Sequence, residues 1–137
     1  MITFYCPIKS VGGVQSLIIN LVAQLDRMGR KAKVLVPLDS YIYKELKQKN
    51  VSFLYYDSNL IIKDEINKFV LADDIVICFD LFKPWRLFLK NDPKILFWNV
   101  YTYTFDDINC ISKLHFNFLT KYMIESLNRK KSIIFMD

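Results

Sequence analysis

Among 137 residues there are only three glycines, four prolines, three cysteines and one histidine, and each scarcity closes off a class of protein. So little glycine and proline excludes collagen-like and low-complexity chains. A hydrophobic fraction of 53% and an aromatic fraction of 15% exclude disorder, because such a chain can bury enough apolar surface to fold. The cysteines, Cys6, Cys78 and Cys110, form no C-x-x-C pair, and their odd number leaves no complete disulfide set. Cys6 and Cys78 fall in strand-like runs, where cysteine is expected as a small buried hydrophobe. His115 is the sole histidine and has only Cys110, five residues before it, as a nearby cysteine, so no metal site is expected. No apolar run approaches the roughly 20 residues of a membrane span. The first basic residue, Lys9, follows the first apolar stretch instead of preceding it, unlike a signal peptide. The expectation is a single cytoplasmic domain.

What is present begins with charge. Nineteen basic and fourteen acidic residues give a net charge of +5. The excess is clustered: Arg27, Arg30, Lys31 and Lys33; Lys44, Lys47 and Lys49; Arg129, Lys130 and Lys131. Such clusters attract phosphate-rich partners or the anionic face of a membrane. Basic residues near helix C-termini equally serve to complement the helix dipole and to keep a protein soluble. No cluster interleaves with a nucleic-acid motif, so nucleic acid is not expected as a partner, whereas peripheral membrane contact stays open.

Hydrophobic periodicity orders the rest. Ile2 to Cys6 reads as a strand, and Pro7 to Gly13 as a loop. Val14, Leu17, Ile18, Leu21, Val22, Leu25 and Met28 recur at helical spacing. Gly29 ends that helix, and Ala32 to Val36 is a second strand. Asp39 and Ser40 are candidate N-caps for a helix over Tyr41 to Lys49 that Asn50 ends. Val51 to Tyr56 is a third strand, Asp57 to Asn59 a turn, and Ile62, Ile66, Phe69 and Val70 one face of a third helix. Asp74 to Phe79 is apolar enough for a central strand covered on both faces. Pro84 opens a helix, Lys94 to Val100 is a fifth strand, Cys110 to Lys130 is helical, and Ser132 to Met136 is a sixth strand. Strict alternation implies a parallel sheet with helices on both faces. Right-handed crossovers favour a doubly wound, Rossmann-like sheet of about six strands in order 3-2-1-4-5-6.

The glycine loop is where a ligand is expected, because open α/β sheets bind at the carboxyl ends of their strands. A dinucleotide fingerprint needs G-x-G-x-x-G and an acid ending the second strand, and neither is present. A P-loop is excluded, since no glycine precedes Lys-Ser or Lys-Thr. No serine, histidine and aspartate surround a nucleophile elbow. What remains is Gly12 and Gly13 at a helix start. Backbone N–H groups without a Cβ in the way can meet an anion there, or the pair is a tight turn and no more.

The stretch Gly12 to Val36, G-G-V-Q-S-L-I-I-N-L-V-A-Q-L-D-R-M-G-R-K-A-K-V-L-V, resembles the opening of GT-B glycosyltransferases of the family 4 type. Ala72 to Ile77, A-D-D-I-V-I, is similar to that family's fourth strand. The resemblance implies an N-terminal, acceptor-side Rossmann-like domain, residues 1–137, of an enzyme that transfers sugar from a nucleotide-sugar donor in glycan or polysaccharide synthesis. It implies no cofactor, a glycan or lipid-linked acceptor, and a donor-binding C-terminal half on a longer chain or a separate polypeptide. The loop Gly12, Gly13 and Val14 would face the donor diphosphate. Lys9, Ser10, Gln15, Asp80, Asn99, Tyr101 and Tyr103 would border the acceptor, with Asn99 or Tyr101 near where many members carry a histidine. No catalytic residue is assigned, and residues 1–137 alone are expected to be inactive. The alternative is a non-catalytic binding or assembly domain, or one subunit of a two-chain transferase.

Overall fold

The computed structural model describes residues 1–60, 62–78, 90–91, 93–98 and 134–136. Strand β1 (Ile2–Tyr5) leads through a loop to helix α1 (Gly13–Arg27), then strand β2 (Ala32–Val36), helix α2 (Tyr41–Gln48) and strand β3 (Phe53–Asp57). A 3₁₀ turn (Ser58–Leu60) and helix α3 (Lys63–Phe69) connect to strand β4 (Ile75–Cys78). Strands β5 (Lys94–Trp98) and β6 (Ile134–Met136) follow.

The first five strands form an all-parallel sheet in the order β3-β2-β1-β4-β5, the arrangement expected from the alternating pattern. β6 lies parallel beside β5, with Phe97 opposite Phe135. The helices expected after β4 and after β5 lie outside the described residues.

Period-two alternation splits each strand between two cores. On one face Phe4, Cys6, Val34 and Val36 pack with Ile18, Ile19 and Val22 of α1 and Ile42 and Leu46 of α2. On the other, Tyr5, Leu35, Val76, Cys78 and Ile95 pack with Ile66 and Val70 at α3. Helices thus cover both faces, and full burial of a side chain such as Ile18 or Val22 contributes about 1.5–3 kcal/mol. β1 sits between β2, reached through α1 on one face, and β4, reached through α3 on the other. The carboxyl end of β1 is therefore the point where the winding reverses.

Helices α1 and α2 stop by one device. Gly29 (φ +70°) follows α1 and Asn50 (φ +52°) follows α2. The Arg30 N–H donates to the Leu25 carbonyl and the Val51 N–H to the Leu46 carbonyl, at 2.9 and 3.0 Å. Both are left-handed C-terminal turns, which glycine and asparagine adopt most readily.

The third strand begins two residues later than the sequence pattern implies, at Phe53. The Ser52 N–H donates to the Asp26 carboxylate at 3.0 Å and holds the approach to the strand. Met28 is not on the packed face of α1, being 59% exposed. The buried stripe is instead Gln15, Ile18, Ile19 and Val22.

Candidate functional site

The loop after β1 is fixed at both ends. The Cys6 N–H donates to the Leu35 carbonyl at 3.2 Å, and the Tyr41 N–H donates to the Lys9 carbonyl at 2.9 Å. Lys9 is further joined to Asp39, its Nζ 2.7 Å from Oδ2. The hydrogen bond from Lys9 is the main reason that the Asp39 carboxyl titrates below its usual range. Asp39 is thus not the cap of α2. Ser40 is, its Oγ accepting from the Tyr43 N–H at 3.3 Å.

Gly12 caps α1 in an extended conformation, φ −175° and ψ 174°, and contributes no side chain to the cap. Its carbonyl accepts the Ser16 N–H at 3.0 Å and closes the first turn. Neither glycine of the pair adopts a positive φ, so the turn does not need glycine for a left-handed backbone. A Cβ on Gly12 would stand 2.5 Å from Gln15 Oε1, the mobile end of a side chain that can shift to admit it. A Cβ on Gly13 would meet nothing within 4 Å. One glycine makes room for a neighbour, and the other leaves open the space over the helix end.

The N–H groups of Gly13, Val14 and Gln15 have no acceptor among the described residues, and the first turn of α1 carries no acidic side chain. Unfilled donors at a helix N-terminus favour an anion. They border an open recess of about 420 Å³, lined by Ile8, Ser10, Val11, the Gly12–Gln15 turn and Leu17. Gln15 is 3% exposed, and its carboxamide has no hydrogen-bond partner among the described residues.

Of the residues singled out from sequence, Ser10, Gly12, Gly13, Val14 and Gln15 converge on this recess. Lys9 does not line it; its ammonium is on Asp39. Asp80, Asn99, Tyr101 and Tyr103 lie outside the described residues. The burial of Gln15 was legible as its place in the i, i+3, i+4, i+7 series with Ile18, Ile19 and Val22, a series that the apolar-only reading of the helix passes over.

A second polar group, missed in the sequence, lies at the opposite end of the sheet. Lys33 of β2 is 5% exposed and Asp74, just before β4, is 1% exposed. Lys33 Nζ is 2.5 Å from Asp74 Oδ2 and donates to the Phe69 carbonyl at 2.7 Å. The Met1 amine stands 3.0 Å from Asp74 Oδ1, and the Leu71 N–H donates to Oδ2 at 2.9 Å. Burial alone would raise the Asp74 carboxyl, but the Leu71 N–H, Lys33 and the amine outweigh it and hold it below its usual range. Lys33 is therefore not part of a basic surface with Arg27, Arg30 and Lys31.

Among the described residues no group of three or more His, Cys, Asp or Glu side chains is placed to hold a metal. None of their helices is long and apolar enough to cross a membrane. Comparison of the chain with family models, with curated proteins and with solved structures returns no match.

Proposed function

We propose that the chain is the acceptor-side domain of a glycosyltransferase, a doubly wound, six-stranded Rossmann-like unit that works opposite a donor-binding half. Supporting this reading is the recess over the start of α1. Three N–H groups without acceptors among the described residues border it, beside the Gln15 side chain, at the edge where such sheets bind ligands. In this reading the Gly13, Val14 and Gln15 N–H groups meet the diphosphate of a nucleotide sugar as charge builds on the leaving group. Gln15 and Ser10 contact a hydroxyl of the acceptor, and Gly13 leaves room for close approach. The chain alone transfers no sugar, because catalysis requires donor and acceptor to be held together.

Amide NMR of the isotope-labelled chain, titrated with inorganic pyrophosphate and with nucleoside-diphosphate sugars, tests the reading. Saturable shifts centred on Gly13, Val14 and Gln15 are expected. Gly13→Val should remove them while leaving the melting temperature unchanged, since the added side chain enters open space. Absence of any shift at these amides up to millimolar ligand, or shifts centred elsewhere, would overturn it.

A further inference from the structure

The outer strand of the sheet, β3, has an unpaired edge among the described residues. Edge strands usually carry protection against pairing with another chain: an inward lysine, a proline, a bulge or a covering element. β3 reads Phe-Leu-Tyr-Tyr-Asp, without proline, without glycine and with its one charge at the last residue. Leu54 and Tyr55 are 42% and 40% exposed.

The side chains beside this edge are already organised. Tyr43 of α2 packs on Tyr55 with ring centroids 4.7 Å apart, and edge-on against Phe53 at 6.1 Å. Lys47 Nζ lies over the Phe53 ring at 5.5 Å and the Tyr43 ring at 5.7 Å. Lys47 has no carboxylate partner among the described residues. At the other end of the strand, Asp57 Oδ1 accepts both the Leu38 and the Asn59 N–H, at 3.3 and 2.9 Å. Its Oδ2 accepts none among the described residues.

We propose that two copies of the chain join by antiparallel pairing of β3 with β3 about a two-fold axis at Tyr55, each Lys47 meeting the partner's Asp57. In that register Phe53 lies opposite Asp57, Leu54 opposite Tyr56, and Tyr55 opposite itself. The strand's faces are respected throughout. Phe53, Tyr55 and Asp57 share the α2 face, and Leu54 and Tyr56 share the α3 face, because alternate residues do. The cation over Phe53 then comes beside the carboxylate that the register delivers to Phe53. Parallel pairing would instead set Asp57 beside Asp57.

Self-complementarity is the condition for an isologous contact, and every favourable pair occurs twice in it. Leu54 gains apolar cover from Tyr56, and the Tyr55 rings meet as a cross-strand aromatic pair. The edge is remote in sequence from the Gly12–Gln15 recess, and the proposal does not depend on what that recess binds.

Sedimentation velocity of the chain over a concentration series should show reversible dimers. Lys47→Glu sets two acids against each other twice and should raise the dissociation constant by about tenfold. Adding Asp57→Lys to the same chain should restore it. Because Asp57 also holds two backbone N–H groups, a register test stands independently of that double variant. Under mild oxidation Tyr55→Cys should form a dimer disulfide, since residues opposite one another across strands come within bridging distance. Leu54→Cys should not. A chain that stays monomeric at the highest concentration overturns the proposal. So does self-association indifferent to Lys47→Glu, or cross-linking as ready through Leu54→Cys as through Tyr55→Cys.

Discussion

The two ends of the central strands treat polar groups in opposite ways. At the amino ends, Asp74 receives Lys33, the Leu71 N–H and the Met1 amine, and Lys33 also reaches the Phe69 carbonyl. At the carboxyl ends, α1 starts without a side-chain cap, and the Gln15 side chain makes no hydrogen bond among the described residues. One end gathers its charges into a buried cluster, although Thr3 Oγ1 beside it is buried without a hydrogen-bond partner among the described residues. That cluster holds the strands in place. The other end leaves the first donors of a helix open.

Removing a polar side chain should therefore have opposite consequences at the two ends. Asp74→Ala leaves Lys33 buried against a single carbonyl, and the expected loss is about 3–5 kcal/mol. Urea denaturation measures it, with part of the loss recovered when Lys33→Met is added. A loss below about 1 kcal/mol would break the contrast.

Acid sharpens the contrast with a smaller effect. Because folding lowers the Asp74 carboxyl, its contribution is complete above the unfolded aspartate value of about 3.9 and disappears as the pH falls through the lower folded value. Unfolding free energies from pH 6 down to 2 should drop below about pH 4 in the wild type. They should drop less steeply in Asp74→Asn, and identical curves would remove Asp74 as the cause.

The smallest effect is expected at the other end. Gln15→Leu keeps the volume and abolishes the unpaired carboxamide, so stability should hold or rise by up to about 1 kcal/mol. A fall of more than about 2 kcal/mol in a thermal melt would mean that Gln15 supports the fold, and the two ends would no longer differ.

Much of this arrangement was readable before the structure, for identifiable reasons. Strand order followed from alternation and handedness, which depend on backbone chirality more than on particular side chains. The ends of α1 and α2 were marked by Gly29 and Asn50, residues chosen for one backbone conformation. The face of α1 was harder. Leu17, Leu21 and Leu25 advertise a stripe, yet they flank the core while Gln15 enters it. Apolarity reports which side chains can be buried, not which ones the sheet reaches.

Lys33 and Asp74 were illegible for a different reason. Each looks like an ordinary surface charge in its own segment, and only the pairing of β1 with both β2 and β4 brings them together. The run Ala72 to Ile77, which supplied part of the family resemblance, holds a residue whose role here is to neutralise a buried lysine. The glycine pair was legible as the turn into α1 but not in how its two members differ, because the contact at Gly12 is made by a side chain three residues away. Asp80, Asn99, Tyr101 and Tyr103 lie outside the described residues.

The central position of β1 also bears on how the chain assembles. Thr3 pairs on one side with Lys33 and on the other with Val76, a neighbour more than twice as far along the chain. Closing the shorter loop costs less entropy, so β1, β2 and β3 can associate while β4 is still free. Until β4 docks, Lys33 has no carboxylate to enter the interior with, and one edge of β1 stays open to wrong partners. Arrival of Asp74 closes that edge and neutralises the lysine in one step, which makes the ion pair a checkpoint on joining the two halves of the sheet.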